Sequence, residues 1–176
     1  MEASTLKKRL RYLRFACYVL VLIPIAHFSI KYDIDEIPAG YDKLTTQKMP
    51  PGTKIVLTDC NDDTVIGLGT VVLYRPPGSD SDQMLFGVVS AMPGETIEYQ
   101  EFEDNVAVIK FGDREVEMPI PGTLRLLPGT VPENHYVLIN GDRLLGPENR
   151  HPDSRVLGPI DRSRFVKKVV VPLTFL

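Results

Sequence analysis

From Phe15 to Ile30 the chain reads FACYVLVLIPIAHFSI, sixteen residues without a charged side chain. Leu10, Tyr12 and Leu13 before it and Tyr32 after it extend the stretch to roughly the 20 residues that a bilayer-spanning helix needs. Five cations precede the run (Lys7, Lys8, Arg9, Arg11 and Arg14), and Asp33, Asp35 and Glu36 follow it. The positive-inside rule then puts the N-terminus in the cytoplasm or its topological equivalent. The body is expected on the outer side: periplasmic, extracellular or facing an intermembrane space. Pro24 predicts a kink, which membrane helices tolerate. A cleaved signal peptide fits less well, because Ala26-His27-Phe28 offers no small-x-small site, and a transit peptide would be rich in Ser and Arg rather than apolar. The reading is a single-pass anchor at 1–31 and a separate domain at 32–176.

The charge balance separates these two parts. Residues 1–31 hold six Lys/Arg against Glu2, a surplus of five, so the net charge of −3 leaves eight net negative charges on 32–176. An acidic body does not attract nucleic acid phosphates, which argues against that class of partner. Charged residues at 24% and hydrophobic residues at 43% are a globular composition rather than a disordered one. Two cysteines, Cys17 and Cys60, cannot build a disulfide framework or a four-ligand zinc site.

Fifteen prolines and thirteen glycines suit short strands and turns better than a helical bundle. Candidate strands rich in β-branched and aromatic residues are Lys54–Thr58, Gly69–Arg75, Leu85–Ala91, Thr96–Tyr99, Asn105–Phe111, Arg114–Met118, His135–Asn140 and Arg164–Pro172. Phe111-Gly112-Asp113-Arg114 reads as a tight hairpin turn. No apolar periodicity of helical type runs for three turns after residue 32. The prediction is a mainly β body, barrel or sandwich, behind one N-terminal helix. Its core should draw on Val56, Val71, Val72, Val88, Val108, Val137, Ile139, Val166 and Val169, because alternate strand positions share a face.

Nucleotide-binding glycine loops, zinc-protease helices and the GxSxG elbow are all missing from the sequence. His27, His135 and His151 lack the close spacing of a metal pair. No metal and no cofactor are expected.

Three segments carry the chemistry in combination: Lys48-Met49-Pro50-Pro51-Gly52, then Val88-Val89-Ser90-Ala91-Met92-Pro93-Gly94-Glu95-Thr96, and Val131–Leu138 leading through Gly141-Asp142 to Asp153-Ser154-Arg155-Val156-Leu157-Gly158-Pro159-Ile160. In order and spacing they resemble the signal peptidase I family, including its mitochondrial and conjugative-transfer members. The resemblance runs from Thr46 to Val171 together with the anchor. It implies a membrane-anchored, signal-peptidase-like β fold and a Ser–Lys dyad, in which a desolvated, unprotonated lysine is general base for a serine nucleophile.

Matched residue by residue, the chemical positions are substituted. Lys48 stands where the resemblance implies the nucleophilic serine, and Gly87 where it implies the lysine. His151 takes the place of the serine that orients that lysine, whereas Asp153, Ser154, Arg155, Gly158 and Pro159 match. Those matching residues are read as a loop held by a salt bridge and a turn. Thr45, Thr46 and Ser90 are the remaining hydroxyls nearby. Thr46 with Lys48 is a weak alternative dyad, and Ser90, three residues after Gly87, should face away from it. The expectation is a non-catalytic protein: an assembly factor, chaperone or structural subunit of a larger membrane complex, taking a protein partner or an extended peptide. The alternative is an active signal-peptidase-type endopeptidase processing exported proteins with a non-standard nucleophile. A missing side chain at Gly87 further suggests a void that Lys48 enters to pair with Asp153; the competing reading is a solvated Lys48 on a mobile loop.

Overall fold

The structure, a computed structural model, describes residues 2–38, 49, 51–78, 83–103, 106–119, 124–140 and 152–173. Thr45, Thr46, Lys48 and His151 lie outside the described residues.

Two compact units are present, Met1–Asp33 and Ile34–Leu176. The first is helix α1, Glu2–Lys31, with Pro24 inside it. Its stretch Arg11–Lys31 is long and apolar enough to cross a membrane. Leu20, Val21, Leu22, Ile23 and Ile25 are all more than half exposed, so the apolar surface wraps the helix rather than forming one stripe. That is the pattern of a helix made for an apolar surround. Ser29 satisfies its hydroxyl by donating to the Ile25 carbonyl one turn back, at 2.9 Å.

The second unit is two antiparallel sheets. The larger contains β1 (Asp33–Glu36), β2 (Lys54–Asp59), β3 (Val71–Tyr74), β4 (Leu85–Ala91), β9 (His135–Ile139), β10 (Ile160–Asp161) and β11 (Phe165–Leu173), in the order β1-β2-β11-β3-β4-β9-β10. The smaller contains β5 (Thr96–Glu103), β6 (Val106–Phe111), β7 (Arg114–Pro119) and β8 (Gly129–Thr130), in the order β7-β6-β5-β8. Among the described residues, helix in the body is limited to α2 (Ser154–Leu157) and a 3-10 turn, Arg162–Arg164. The expectation of strands and turns alone therefore needs these two short additions; each is capped by the aspartate before it, Asp153 and Asp161. The hairpin at Gly112-Asp113 is present, with Phe111 opposite Arg114 and Gly112 at φ 58°.

The larger sheet is buried on both faces. One face gathers Ile37, Met49, Ile55, Leu57, Val71, Leu73, Phe86 and Val88. The other gathers Val72, Tyr74, Leu85, Val89 and Leu138 under Ile66, Ile160 and Phe165. Consecutive residues of β3 and β4 alternate between these cores, as a period of two requires. A third core, under the smaller sheet, joins Ile97, Ala107, Ile109 and Phe111 to Ala91, Val137 and Ile139 of the larger one. Six of the nine expected core residues are buried: Val56, Val71, Val72, Val88, Val137 and Ile139. Val108, Val166 and Val169 are only half-buried. For Val108 the reason is plain: Ala107 and Ile109 hold the core-facing positions of β6, so Val108 takes the other face.

Candidate functional site

The site begins with the Asp153-Ser154-Arg155 turn, whose three side chains are buried. Arg155 folds back on Asp153: its Nη2 donates to Oδ2 at 2.7 Å, and its Nε lies 3.1 Å from both carboxylate oxygens. The Asp153 carboxylate also accepts the backbone N–H of Arg155 at 2.9 Å and that of Asn140 at 3.0 Å. A buried carboxylate so furnished has its charge met and its lone pairs filled. Ser154 accepts the Leu138 N–H at 2.8 Å. The turn is thus tied to β9 and to the residue that follows it. It also holds the preceding segment, because the Arg125 N–H donates to the Arg155 carbonyl at 2.8 Å. One residue further on, the Tyr99 hydroxyl donates to the Leu126 carbonyl at 2.5 Å, and burial pushes this phenol up to about 12.

Gly87 sits on β4 opposite Val72, with Tyr74 opposite Leu85 on the same face. A Cβ on Gly87 would stand 2.9 Å from the Leu138 Cβ and 3.1 Å from the Tyr74 Cε1. Tyr74 is fully buried, and its hydroxyl donates to the Pro152 carbonyl at 2.8 Å. The tyrosine therefore spans from Gly87 to the residue before Asp153. The expected void beside Gly87 is not there; Tyr74 and Leu138 occupy it. Met49, the residue after Lys48, packs with Phe86 and Val88 in the core on the opposite face.

Ser90 falls where the β4–β9 register shifts, between Val89 opposite Leu138 and Ala91 opposite Val137. Its hydroxyl donates to the Val88 carbonyl at 3.2 Å. A bulge re-aims a side chain, and here it turns the hydroxyl onto its own strand. The turn Met92–Glu95 is closed by Glu95, which accepts the Met92 N–H at 2.6 Å and pairs with Arg114 at 3.0 Å. Burial pushes the Cys60 thiol up, against the opposing pull of Arg162, so Cys60 is not an activated thiolate. Among the described residues no group of three or more His, Cys, Asp or Glu could hold a metal ion.

The structure thus brings Gly87, Leu138, Tyr74, Pro152, Asp153, Ser154 and Arg155 into one continuous packed and hydrogen-bonded set. Ser90 is on the same strand as Gly87 but engaged elsewhere. The roles of Tyr74 and Leu138 could be anticipated only from the register of three strands, since each reads alone as an ordinary core residue.

No family model matches the chain, and no curated protein matches it. Among solved structures it is similar to a signal peptidase I from Enterococcus faecalis V583, at 20% identity and a TM-score of 0.37, with 63% of this chain and 98% of that one covered.

Proposed function

We propose that this protein is a membrane-anchored, signal-peptidase-like scaffold that binds protein without cutting it, as an assembly factor, chaperone or structural subunit of a membrane complex. One observation carries the reading: the position matched to the general-base lysine is Gly87, where even a Cβ would crowd Leu138 and Tyr74. A dyad mechanism needs an amine there, within hydrogen-bond reach of the nucleophile. The substituted motif position Lys48 supports the same reading from the sequence. The Asp153-Ser154-Arg155 turn, by contrast, matches the motif and is held by hydrogen bonds to Leu138 and Asn140, which suits a protein whose framework still has work to do. The helix α1 supplies the anchor.

The test compares the wild-type protein with a variant carrying Thr45→Ala, Thr46→Ala and Ser90→Ala, both expressed at native level and solubilised from their own membranes. The scaffold reading expects the same proteins to co-purify with both, uncleaved. Loss of a cleaved product in the variant would overturn it.

A further inference from the structure

The smaller sheet ends at β7, which among the described strands pairs with β6 alone. Phe111, Ile109 and Ala107 of β6 stand opposite Arg114, Val116 and Met118. In an antiparallel ladder, successive residues turn their N–H and C=O to opposite sides. The Gly112 N–H donates to the Thr96 carbonyl of β5 at 2.9 Å, so Phe111, Ile109 and Ala107 bond towards β7. On β7 it is therefore Arg114, Val116 and Met118 that bond inwards. Glu115 and Glu117 turn their backbone groups outwards. Pro119 falls on the same outward parity, where its missing N–H costs the ladder nothing.

The side chains along this edge are as ordered as the backbone. Glu115 and Glu117 are exposed and share the outer face of the sheet with their partners across β6, Lys110 and Val108. Glu98 stands on the far side of Lys110. Lys110 thus has an acid on either side, and Glu117 has no cation opposite it. Asp113, in the turn, adds an exposed acid at the end of the edge. On the other face Val116, opposite the buried Ile109, is 37% exposed.

Acids on an edge strand guard against pairing between copies. A second copy laid antiparallel with matched faces would set Glu115 and Glu117 against acids, which is unfavourable. The same acids leave a cationic strand unopposed. Such a strand would place Lys or Arg opposite Glu115 and Glu117, bond to their free N–H and C=O groups, and cover Val116 with the apolar residue between. This edge belongs to the smaller sheet, whereas Gly87, Tyr74 and Leu138 all belong to the larger one.

We propose that β7 takes up an extended segment of a partner protein, paired antiparallel, with cationic side chains two residues apart and an apolar one between them. This rests on the reading of the chain as a protein-binding scaffold. The probe is a fluorescein-labelled KVKVK peptide, titrated by anisotropy against the full-length protein in detergent at low salt, with EVEVE as the control. KVKVK should bind and EVEVE should not. E117P removes an outward N–H and should weaken KVKVK about tenfold, the worth of one or two hydrogen bonds. E117K keeps that N–H, reverses the charge and should weaken it as well. Two further peptides need no variant of the protein: methylation of the lysine amides, which face β7, should abolish binding, and methylation of the valine amides, which face away, should not. No binding of KVKVK, or equal binding of EVEVE, overturns the proposal. Equal binding by wild type and E117P, or of the two methylated peptides, also overturns it, in favour of an ionic contact without strand addition. The mass of the recovered peptide reports on the scaffold reading separately. A peptide that is cut, yet bound with the expected sensitivity to E117P and methylation, would overturn that reading and leave the edge assigned.

Discussion

The Tyr74 hydroxyl lies 2.8 Å from the Pro152 carbonyl, and its ring lies 3.1 Å from where a Cβ of Gly87 would be. One buried side chain therefore joins the glycine strand to the Asp153 turn. Tyr74→Phe keeps the ring and leaves a half-buried carbonyl short of a donor. A loss of about 1–3 kcal/mol is expected for such an orphaned group, read as a lower denaturation midpoint in detergent.

Gly87→Ala should destabilise by about 1–3 kcal/mol, the usual cost of overpacking a core, because the Leu138 Cβ belongs to a backbone that cannot move alone. Gly87→Lys should be worse and should not confer peptidase activity. Thermal unfolding of the two variants beside wild type checks the order. A Gly87→Ala protein as stable as wild type would mean the strands yield there.

The Asp153–Arg155 pair is buried, with side chains 0% and 1% exposed. Asp153→Asn removes the charge of the carboxylate that Nε and Nη2 contact, and a loss of about 3–5 kcal/mol is expected when one member of a buried pair is removed. Arg155→Lys should not rescue, since an ammonium cannot reproduce the two-sided contact of Nε and Nη2. Equilibrium unfolding of each variant measures this.

Tyr99 gives a pH dependence with a definite sign. Burial raises its folded-state pKa to about 12, above the ordinary phenol value near 10. The folded state thus favours the neutral phenol. This contribution is whole below about pH 10 and declines as pH rises from there towards 12. Wild type should lose stability over that window more steeply than Tyr99→Phe, in a paired pH series of denaturation midpoints. Parallel curves would remove the burial account.

Much of the body was legible in the sequence because its strands are short, β-branched and bounded by turn residues. Leu85–Ala91 appears as read, and the β6–β7 hairpin closes at Gly112-Asp113. β1 was not legible: Asp-Ile-Asp-Glu has one apolar residue and pairs only because β2 offers an edge. β5 runs on to Glu103, past a bulge at the Tyr99/Glu101 step that no spacing in the sequence marks. The salt bridge of the Asp153 turn could be read from three adjacent residues. The closure at Gly87 could not, since it depends on how β3, β4 and β9 register and on which tyrosine faces the glycine.

The central claim is that the chain forms no acyl-enzyme. Full-length protein in detergent, incubated with a signal-peptide-bearing substrate and separately with a serine-directed acylating inhibitor, can be followed by intact mass and peptide mapping. The account predicts unchanged protein mass and intact substrate. A covalent adduct mapped to Thr45, Thr46 or Ser90, together with substrate cleavage, would contradict it.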